Sequence, residues 1–390
     1  MTNEKLNSNA TPVFRAVADL HIWPELGPFA KFEDMHSDGL TNLGDFLSRS
    51  ADVPLLIAGD ALEHSHRLGL TSAIASLGEV LPSTGGDDVA FIQGNHDHAG
   101  HSSTGSNPAF LSMLGASHVD LDEGVKTFVF GGRELRVGGI DSTKNTDALL
   151  AAIGRAGTLA LDVLLIHQSV DALLGFDGAF DLSIEDLDGA ARVVICGDVH
   201  TPYTKQLSDK TLFVSPGSIQ PRNAGDFGPK DEHGFAYDSQ FGGYEICYDS
   251  KEDVFEARRV SASRRGYGYF RLDQAAQIAS AVQAVKAKAQ ESGVKPYAYI
   301  KYNTEDITAV EIQERFRELC YFDAVPVVGV LEEADDKEQG SEEELDIIVE
   351  RHVDRGNARL FRTGLRFAEA ALRGTSIDGI IESEVEAMYQ

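Results

Sequence analysis

The sequence predicts an α/β fold, and three observations carry that expectation. Five apolar, strand-like stretches each run straight into a cluster of Gly, Asp, His or Asn: residues 13–21 (VFRAVADLH), 53–60 (VPLLIAGD), 89–97 (VAFIQGNHD), 163–167 (VLLIH) and 193–200 (VVICGDVH). Between the first of them, residues 38–49 and 68–81 carry apolar side chains at helical spacing, the alternation of a sheet covered by helices. From Val125 the texture changes to short strands with glycine turns, at 126–130, 134–138, 212–215 and 243–248. These predict a second sheet packed on the first.

Composition sets the outer bounds. A chain of 390 residues, 42% hydrophobic and 8% aromatic, has room for two domains, or one large domain with appendages, and a sizeable core. No apolar run reaches the ~20 residues of a membrane helix. Residues 1–11 are polar and expected to be flexible, with no secretory h-region, so a cytoplasmic protein is expected, of a bacterium or a phage-infected host. Cys196, Cys247 and Cys320 are odd in number and widely spaced, which argues against a disulfide framework and for buried, reduced thiols. The net charge of −28 lacks the basic footprint usual in nucleic-acid binders. A polyanion is compatible with it through a cation-loaded site or a basic partner; otherwise the substrate is small or non-nucleic.

The elements divide the chain. Residues 12–260 read as one unit of alternating strands and helices, and 261–331 as a small unit. The small unit reads as strand 268–272, alanine-rich helix 273–290, strand 297–302, helix 309–319 and strand 325–331. It has no cluster of candidate ligands, so it is expected to be a cap that shapes the substrate site or binds a partner. Residues 332–344 (EEADDKEQGSEEE) read as an acidic, solvated linker. Within 345–390, Arg351, Arg355, Arg359, Arg362 and Arg366 punctuate one helical pattern. A second follows, capped by Ser376 and striped by Ile377, Ile380, Ile381 and Val385. Docking onto a partner and packing back on the chain's own body both fit these helices.

Chemistry concentrates at the five strand ends, where α/β sheets build their sites. Asp19 and His21 form a D-x-H pair whose alternate side chains point the same way. Asp60 follows Gly59, which permits a sharp turn. The run Gly94-Asn95-His96-Asp97 is more specific: Asn95 offers a neutral oxygen to a metal, His96 can transfer a proton beside it, and Asp97 can hold a His96 ring nitrogen. His167 is solitary, a residue type more often explained by packing; only its company raises it. Asp198 and His200 alternate again. Together these are oxygen and imidazole donors, a Mn- or Zn-like set rather than a thiolate one.

In this order and spacing, D-x-H, G-D, G-N-H-D, a lone His after a strand and a final G-x-x-H resemble the calcineurin-like metallophosphoesterase superfamily over roughly residues 13–225. Ser215-Pro216-Gly217-Ser218, the small α/β unit and the helices after a linker are similar to the Mre11/SbcD nucleases, including phage-type members. The resemblance implies a four-layer α-β-β-α sandwich of two packed mixed sheets flanked by helices, with a small α+β cap. It implies two divalent cations, with Mn²⁺ the expected identity. Asp19, His21 and His200 would hold the first, Asn95, His167 and Asp198 the second, and Asp60 would bridge them. His96 would protonate the leaving oxygen. The family usually places a histidine where Asp198 stands; a carboxylate also ligates Mn²⁺ or Mg²⁺. A histidine often found three residues after the bridging Asp is Glu63 here, with His64 next. The implied activity is a DNA exo/endonuclease of recombination and repair, homodimeric and working with a Rad50/SbcC-like ATPase bound through the C-terminal helices.

The remaining histidines, and Trp23, Phe29 and Phe32 in the loop after D-x-H, read more simply as surface or loop-packing residues than as substrate contacts. Arg222 and His64 are candidate substrate contacts. Two other functions fit the sequence: a stand-alone phosphodiesterase or phosphatase, which the acidic charge favours, and a scaffold without turnover, for which Asp198 is the one hint.

Overall fold

Six strands build the first sheet: β1 (Thr11–Val17), β2 (Leu55–Ala58), β3 (Val89–Ile92), β4 (Ser117–His118), β11 (Gly242–Asp249) and β12 (Val254–Ser261), in the order β12-β11-β1-β2-β3-β4. β1 to β4 run parallel, and β11 and β12 add antiparallel strands beyond β1. The second sheet has the order β5-β6-β7-β8-β10-β9. Its strands are β5 (Lys126–Phe130), β6 (Arg133–Ile140), β7 (Val163–His167), β8 (Val193–Gly197), β9 (Tyr203–Gln206) and β10 (Leu212–Ser215). Its centre is parallel and its two edges antiparallel. The computed structural model describes residues 10–22, 37–62, 70–81, 88–97, 114–130, 132–173 and 180–327, with 32, 35 and 111–112.

Strand alternation explains how the sheets are covered. Phe14 and Ala16 of β1, Leu56 of β2 and Ala90 of β3 share one buried core with Val137, Val163, Leu165, Val193, Ile195 and Val214 of the second sheet. The other side of the first sheet, Val17, Leu55, Ile57 and Phe91, packs on Leu43 and Phe46 of α1 (Asp38–Arg49) and Leu77 of α2 (Leu70–Val80). Leu164, Ile166 and Val194 do the same for α3 (Thr146–Thr158) through Leu149 and Ile153. Strands buried on both faces read as continuous apolar runs, which is why the five junctions stand out in the sequence.

The third sheet is small and parallel, β13 (Tyr267–Leu272), β14 (Tyr297–Asn303) and β15 (Tyr321–Val327) in that order. Helices α4 (Ala275–Ser292) and α5 (Ala309–Phe316) cover one face through Ile278, Val285, Ile312 and Phe316. Aromatic side chains at one end of the other face, Tyr267 and Tyr297, pack on Phe227 and Phe241. A buried Arg265–Asp38 pair, with Nη2 of Arg265 3.1 Å from Asp38 Oδ1, joins the segment before β13 to the start of α1.

Two expectations are corrected and one helix is new. β11 belongs to the first sheet, not the second: it pairs with β1 from Thr11↔Tyr248 to Ala16↔Tyr244, a contact across more than 200 residues that no local pattern announces. The last described strand is Tyr321–Val327 rather than 325–331, because Tyr321 pairs with Tyr297; Pro326 is tolerated in it because β15 is an edge. Helix α3 has no counterpart in the sequence reading. Asn145 caps it by accepting from Ala148 N–H at 3.1 Å, but the internal glycines Gly154 and Gly157 weaken its helical signature.

By internal contacts the chain divides into Met1–Leu331 and Glu332–Gln390. The expected acidic linker and C-terminal helices fall on residues 332–390, which lie outside the described residues, as do residues 328–331. All three cysteines are free and buried. Among the described residues no helix is long and apolar enough to cross a membrane.

Candidate metal centre

Three strand ends of the first sheet and two of the second converge. Beyond their last strand residues β1 and β2 stay side by side: Asp19 N–H donates to Gly59 O (3.2 Å), His21 N–H to Asp60 O (3.0 Å) and Ile22 N–H to Ala61 O (3.1 Å). This lays D-x-H beside Asp60. The loop after β3 joins them through His96 N–H, which donates to Asp60 Oδ1 at 2.8 Å. The second sheet enters where Asp198 N–H, just past β8, donates to both oxygens of Asp19 at 3.2 Å. Two glycines permit the approach. Gly59 has φ +85°, and a Cβ on it would overlap the His167 ring; a Cβ on Gly94 would overlap Asp60 Oδ1.

The backbone is strained at this place. Among the described residues six that are not glycine have positive φ, and four are here: Asp19 (49°), His21 (43°), Asp60 (50°) and Asp198 (87°). Such conformations cost on the order of 1 kcal/mol or more each and collect at functional sites. Aspartate tolerates them better than most residues, which suits it to three of the four positions.

The donor atoms face one another. His21 Nε2 and His200 Nε2 are 3.2 Å apart. Asp60 Oδ2 lies 3.7 Å from His21 Nε2 and 3.4 Å from His167 Nε2. Asp19 Oδ1 is 4.0 Å from His21 Nε2 and 3.8 Å from His200 Nε2. Among the described residues three groups bring their donor atoms within 4.8 Å of one another: Asp19–His21–His200, His21–Asp60–His96 and Asp19–Asp60–His167. His167 Nε2 is also 3.0 Å from Asn95 Oδ1 and 3.8 Å from Asp198 Oδ1. Asp198 thus stands on the His167 side, outside the three tight groups.

These residues suit a cation. Adjacent donors about 2.1 Å from one ion in octahedral geometry sit about 3.0 Å apart, close to the His21–His200 spacing. Oxygens behind two of the rings orient them. His167 Nδ1–H donates to Ala58 O at 2.8 Å, so Nε2 is the nitrogen that faces Asp60 and would ligate a cation on giving up its proton. His200 Nδ1 lies 2.9 Å from Asp226 Oδ2, an ion-pair approach rather than a formed hydrogen bond, with Nε2 on the inward side.

Electrostatics set the two central carboxylates apart. Burial pushes Asp60 up, but the imidazoles of His167, His96 and His21 outweigh it and hold its carboxyl well below the usual range. Burial wins at Asp19, whose carboxyl is raised despite His200 and His167. For His167 burial is overcome by Asp60, which raises the imidazole well above its ordinary value. Burial, then Asp60, push Asp97 up to about 7 against the pull of the Gly94 and Leu62 N–H groups. Burial also pushes the Cys196 thiol up, so it is an inert neighbour.

Asp19, His21, Asp60, Asn95, His96, His167, Asp198 and His200 therefore all meet. Asp97 has a role the sequence did not suggest: its carboxylate accepts from Gly94 N–H (3.0 Å), Leu62 N–H (3.0 Å) and Ala61 N–H (3.3 Å), tying the GNHD loop to the segment after Asp60. Against the His96 ring stand Arg222, whose Nη1 is 3.3 Å from Nε2, and the His21 ring, edge-on at 5.0 Å by centroid. His64 lies outside the described residues. Asp226 was missed. Its only sequence signal is the N-x-x-D spacing of Asn223 and Asp226, which forms a capping box on a short turn.

No family model matches the chain, and no curated protein matches it. Among solved structures, the protein of unknown function AQ665 from Aquifex aeolicus is similar at 11% identity with a TM-score of 0.24, over 40% of this chain and 78% of that one. A likeness this loose carries no argument about fold or function.

Proposed function

We propose that this protein is a metal-dependent phosphodiesterase of the calcineurin-like type, with that superfamily's four-layer sandwich and with residues 261–331 as its cap. In this reading it is a DNA exo/endonuclease of recombination and repair, partnered by a Rad50/SbcC-like ATPase on residues 345–390. One observation supports it above the others: five strand ends from two sheets bring His and Asp donors, His96 among them, into overlapping groups within 4.8 Å, with Arg222 beside them.

Asp19, His21 and His200 would hold one cation, Asn95, His167 and Asp198 a second, with Asp60 shared between them and Mn²⁺ the expected identity. Two such ions supply charge that polarises a phosphoryl group and its attacking water. The chain's own residues do the rest. Asp97 fixes the loop that carries Asn95 and His96. His96, in the group with His21 and Asp60, is placed to give a proton to the leaving oxygen of a diester, a group that leaves poorly without one. Arg222 adds a fixed cation where a phosphate would enter, which matters on a chain of net charge −28.

The test is purified protein with Mn²⁺, given either end-labelled duplex DNA or bis-p-nitrophenyl phosphate. DNA degradation supports the nuclease, alone or with its ATPase. Hydrolysis of the small ester without DNA degradation favours a stand-alone phosphodiesterase, the reading the acidic charge supports. Bound metal with neither activity favours a scaffold. His96→Ala should retain Mn²⁺ binding and lose about 10²–10⁴-fold in turnover; near-normal activity in that variant would remove His96 from its role.

A further inference from the structure

We infer that the turn from Arg222 to Phe227 is a positioning element that ties the small sheet to both the candidate metal ligands and the candidate proton donor. The inference rests on the metal reading above and adds to it Asp226, Phe227 and a second role for Arg222. One oxygen, Asp226 Oδ2, gathers three nitrogens: Arg222 N–H at 2.7 Å, Asn223 N–H at 3.1 Å and His200 Nδ1 at 2.9 Å. The carboxylate that orients a candidate ligand therefore also fixes the backbone from which Arg222 reaches His96 Nε2 at 3.3 Å.

The next residue anchors the turn. Phe227 is fully buried, 5.8 Å from the Tyr267 ring and 6.0 Å from the Tyr297 ring by centroid. Those tyrosines pair across β13 and β14, so the small sheet forms the wall against which the turn is set. From the other side Gln240 Nε2–H donates to Asp226 O at 3.3 Å. Gln240 O in turn accepts from Arg259, a half-buried guanidinium that also donates to Ser239 O and Pro216 O. The turn is thus held at both ends, leaving Asp226 and Arg222 little freedom.

Two separable consequences follow. The Asp226 carboxylate faces His200 Nδ1 at 2.9 Å and favours the proton there, with Nε2 facing inward, and loss of such a partner typically costs 10–100-fold in metal affinity. Arg222 orients the His96 ring, so its loss should lower turnover and leave metal affinity alone. Asp226 is a positioning residue, and Arg222 adds that role to its place beside the phosphate.

The test measures Mn²⁺ affinity by calorimetry and kcat and KM on bis-p-nitrophenyl phosphate, for wild type, Asp226→Asn, Asp226→Ala, Arg222→Gln and Phe227→Leu, each checked for an unchanged circular dichroism spectrum. The expected results are about 10–100-fold weaker Mn²⁺ binding in Asp226→Ala, a smaller loss in Asp226→Asn, reduced kcat at normal Mn²⁺ affinity in Arg222→Gln, and both defects in Phe227→Leu. Equal Mn²⁺ affinity in wild type and both Asp226 variants overturns the inference while sparing the metal reading. Wild type that binds no Mn²⁺ overturns that reading, and the inference with it.

Discussion

The two ends of the paired sheets solve opposite problems with similar residues. At the end where the strands finish, Asp19, Asp60 and Asp198 are buried among imidazoles on a strained backbone. At the end where they start, Arg133 of β6 and Arg192 before β8 reach across to Tyr248 and Phe255 of the first sheet. Arg133 stacks 4.3 Å from the Tyr248 ring and Arg192 4.8 Å from the Phe255 ring. Asp162 and Asp253 complete this clasp: Asp253 Oδ1 lies 2.8 Å from Arg192 and accepts from Tyr248 O–H at 2.6 Å. Here each charge has an opposite partner and solvent nearby. At the other end carboxylates crowd one another, which charge alone disfavours and a bound cation relieves. One end holds the sheets together, and the other holds charge in readiness.

Asp19→Asn should break the contrast most sharply. Burial raises the Asp19 carboxyl, so at neutral pH its ionised form costs the folded protein free energy. Asparagine removes that cost, tolerates the positive φ, and still accepts from Asp198 N–H. The metal-free protein should gain on the order of 1 kcal/mol, the usual size of such a trade between stability and function. Mn²⁺ affinity should fall by more than about 10²-fold, because a ligand is worth more than its supporting partners. Calorimetry and thermal unfolding of the metal-free protein check both. A variant less stable than wild type, with unchanged Mn²⁺ binding, would place no functional strain at Asp19.

Arg192→Ala should do the reverse. It removes an ion pair with Asp253 and the stacking on Phe255, together about 1–2 kcal/mol. Mn²⁺ affinity should not move, since the clasp lies at the opposite end of the strands. Urea unfolding and calorimetry on the same preparation test the separation. A large fall in Mn²⁺ affinity would show that the two ends are coupled.

The same contrast explains what the sequence revealed. The strand ends are legible because each is local: an apolar run sets the strand, and the next residues carry the donors, as in Ile57-Ala58-Gly59-Asp60. Helix α1 and strands β5 and β10 are equally local, and their bounds read directly from the pattern. Asp226 and the clasp are not local. Asp226 matters only because the chain returns to His200 after a hairpin, and Tyr248 matters only because β11 joins the first sheet. Asp97 shows a finer limit. Its place beside His96 in the chain suggests a ring contact, whereas the turn points its carboxylate back to three backbone N–H groups. Neighbours in sequence diverge wherever the backbone turns, and this loop turns sharply.

The smallest expected effect lies between the two ends, at His118 on β4. Its Nε2 is 2.9 Å from Asp141 Oδ1 and its Nδ1 3.1 Å from Glu123 Oε2. Asp141 also accepts from Gln93 N–H at 2.8 Å, just ahead of the GNHD loop. Burial lowers the His118 imidazole, but Asp141 and Glu123 outweigh it and raise it above its ordinary value. A raised folded-state value means that the stabilisation is fully present below the unfolded value near 6.5 and is lost as pH rises through the higher folded one. Wild-type thermal stability should therefore fall as pH is raised above about 6.5, and His118→Gln should flatten that part of the profile. With Glu123 largely in solvent, the difference should stay within about 1 kcal/mol. A profile unchanged by the substitution would mean that His118 stays neutral and holds Asp141 by a hydrogen bond alone, leaving the brace on Gln93 to packing rather than charge.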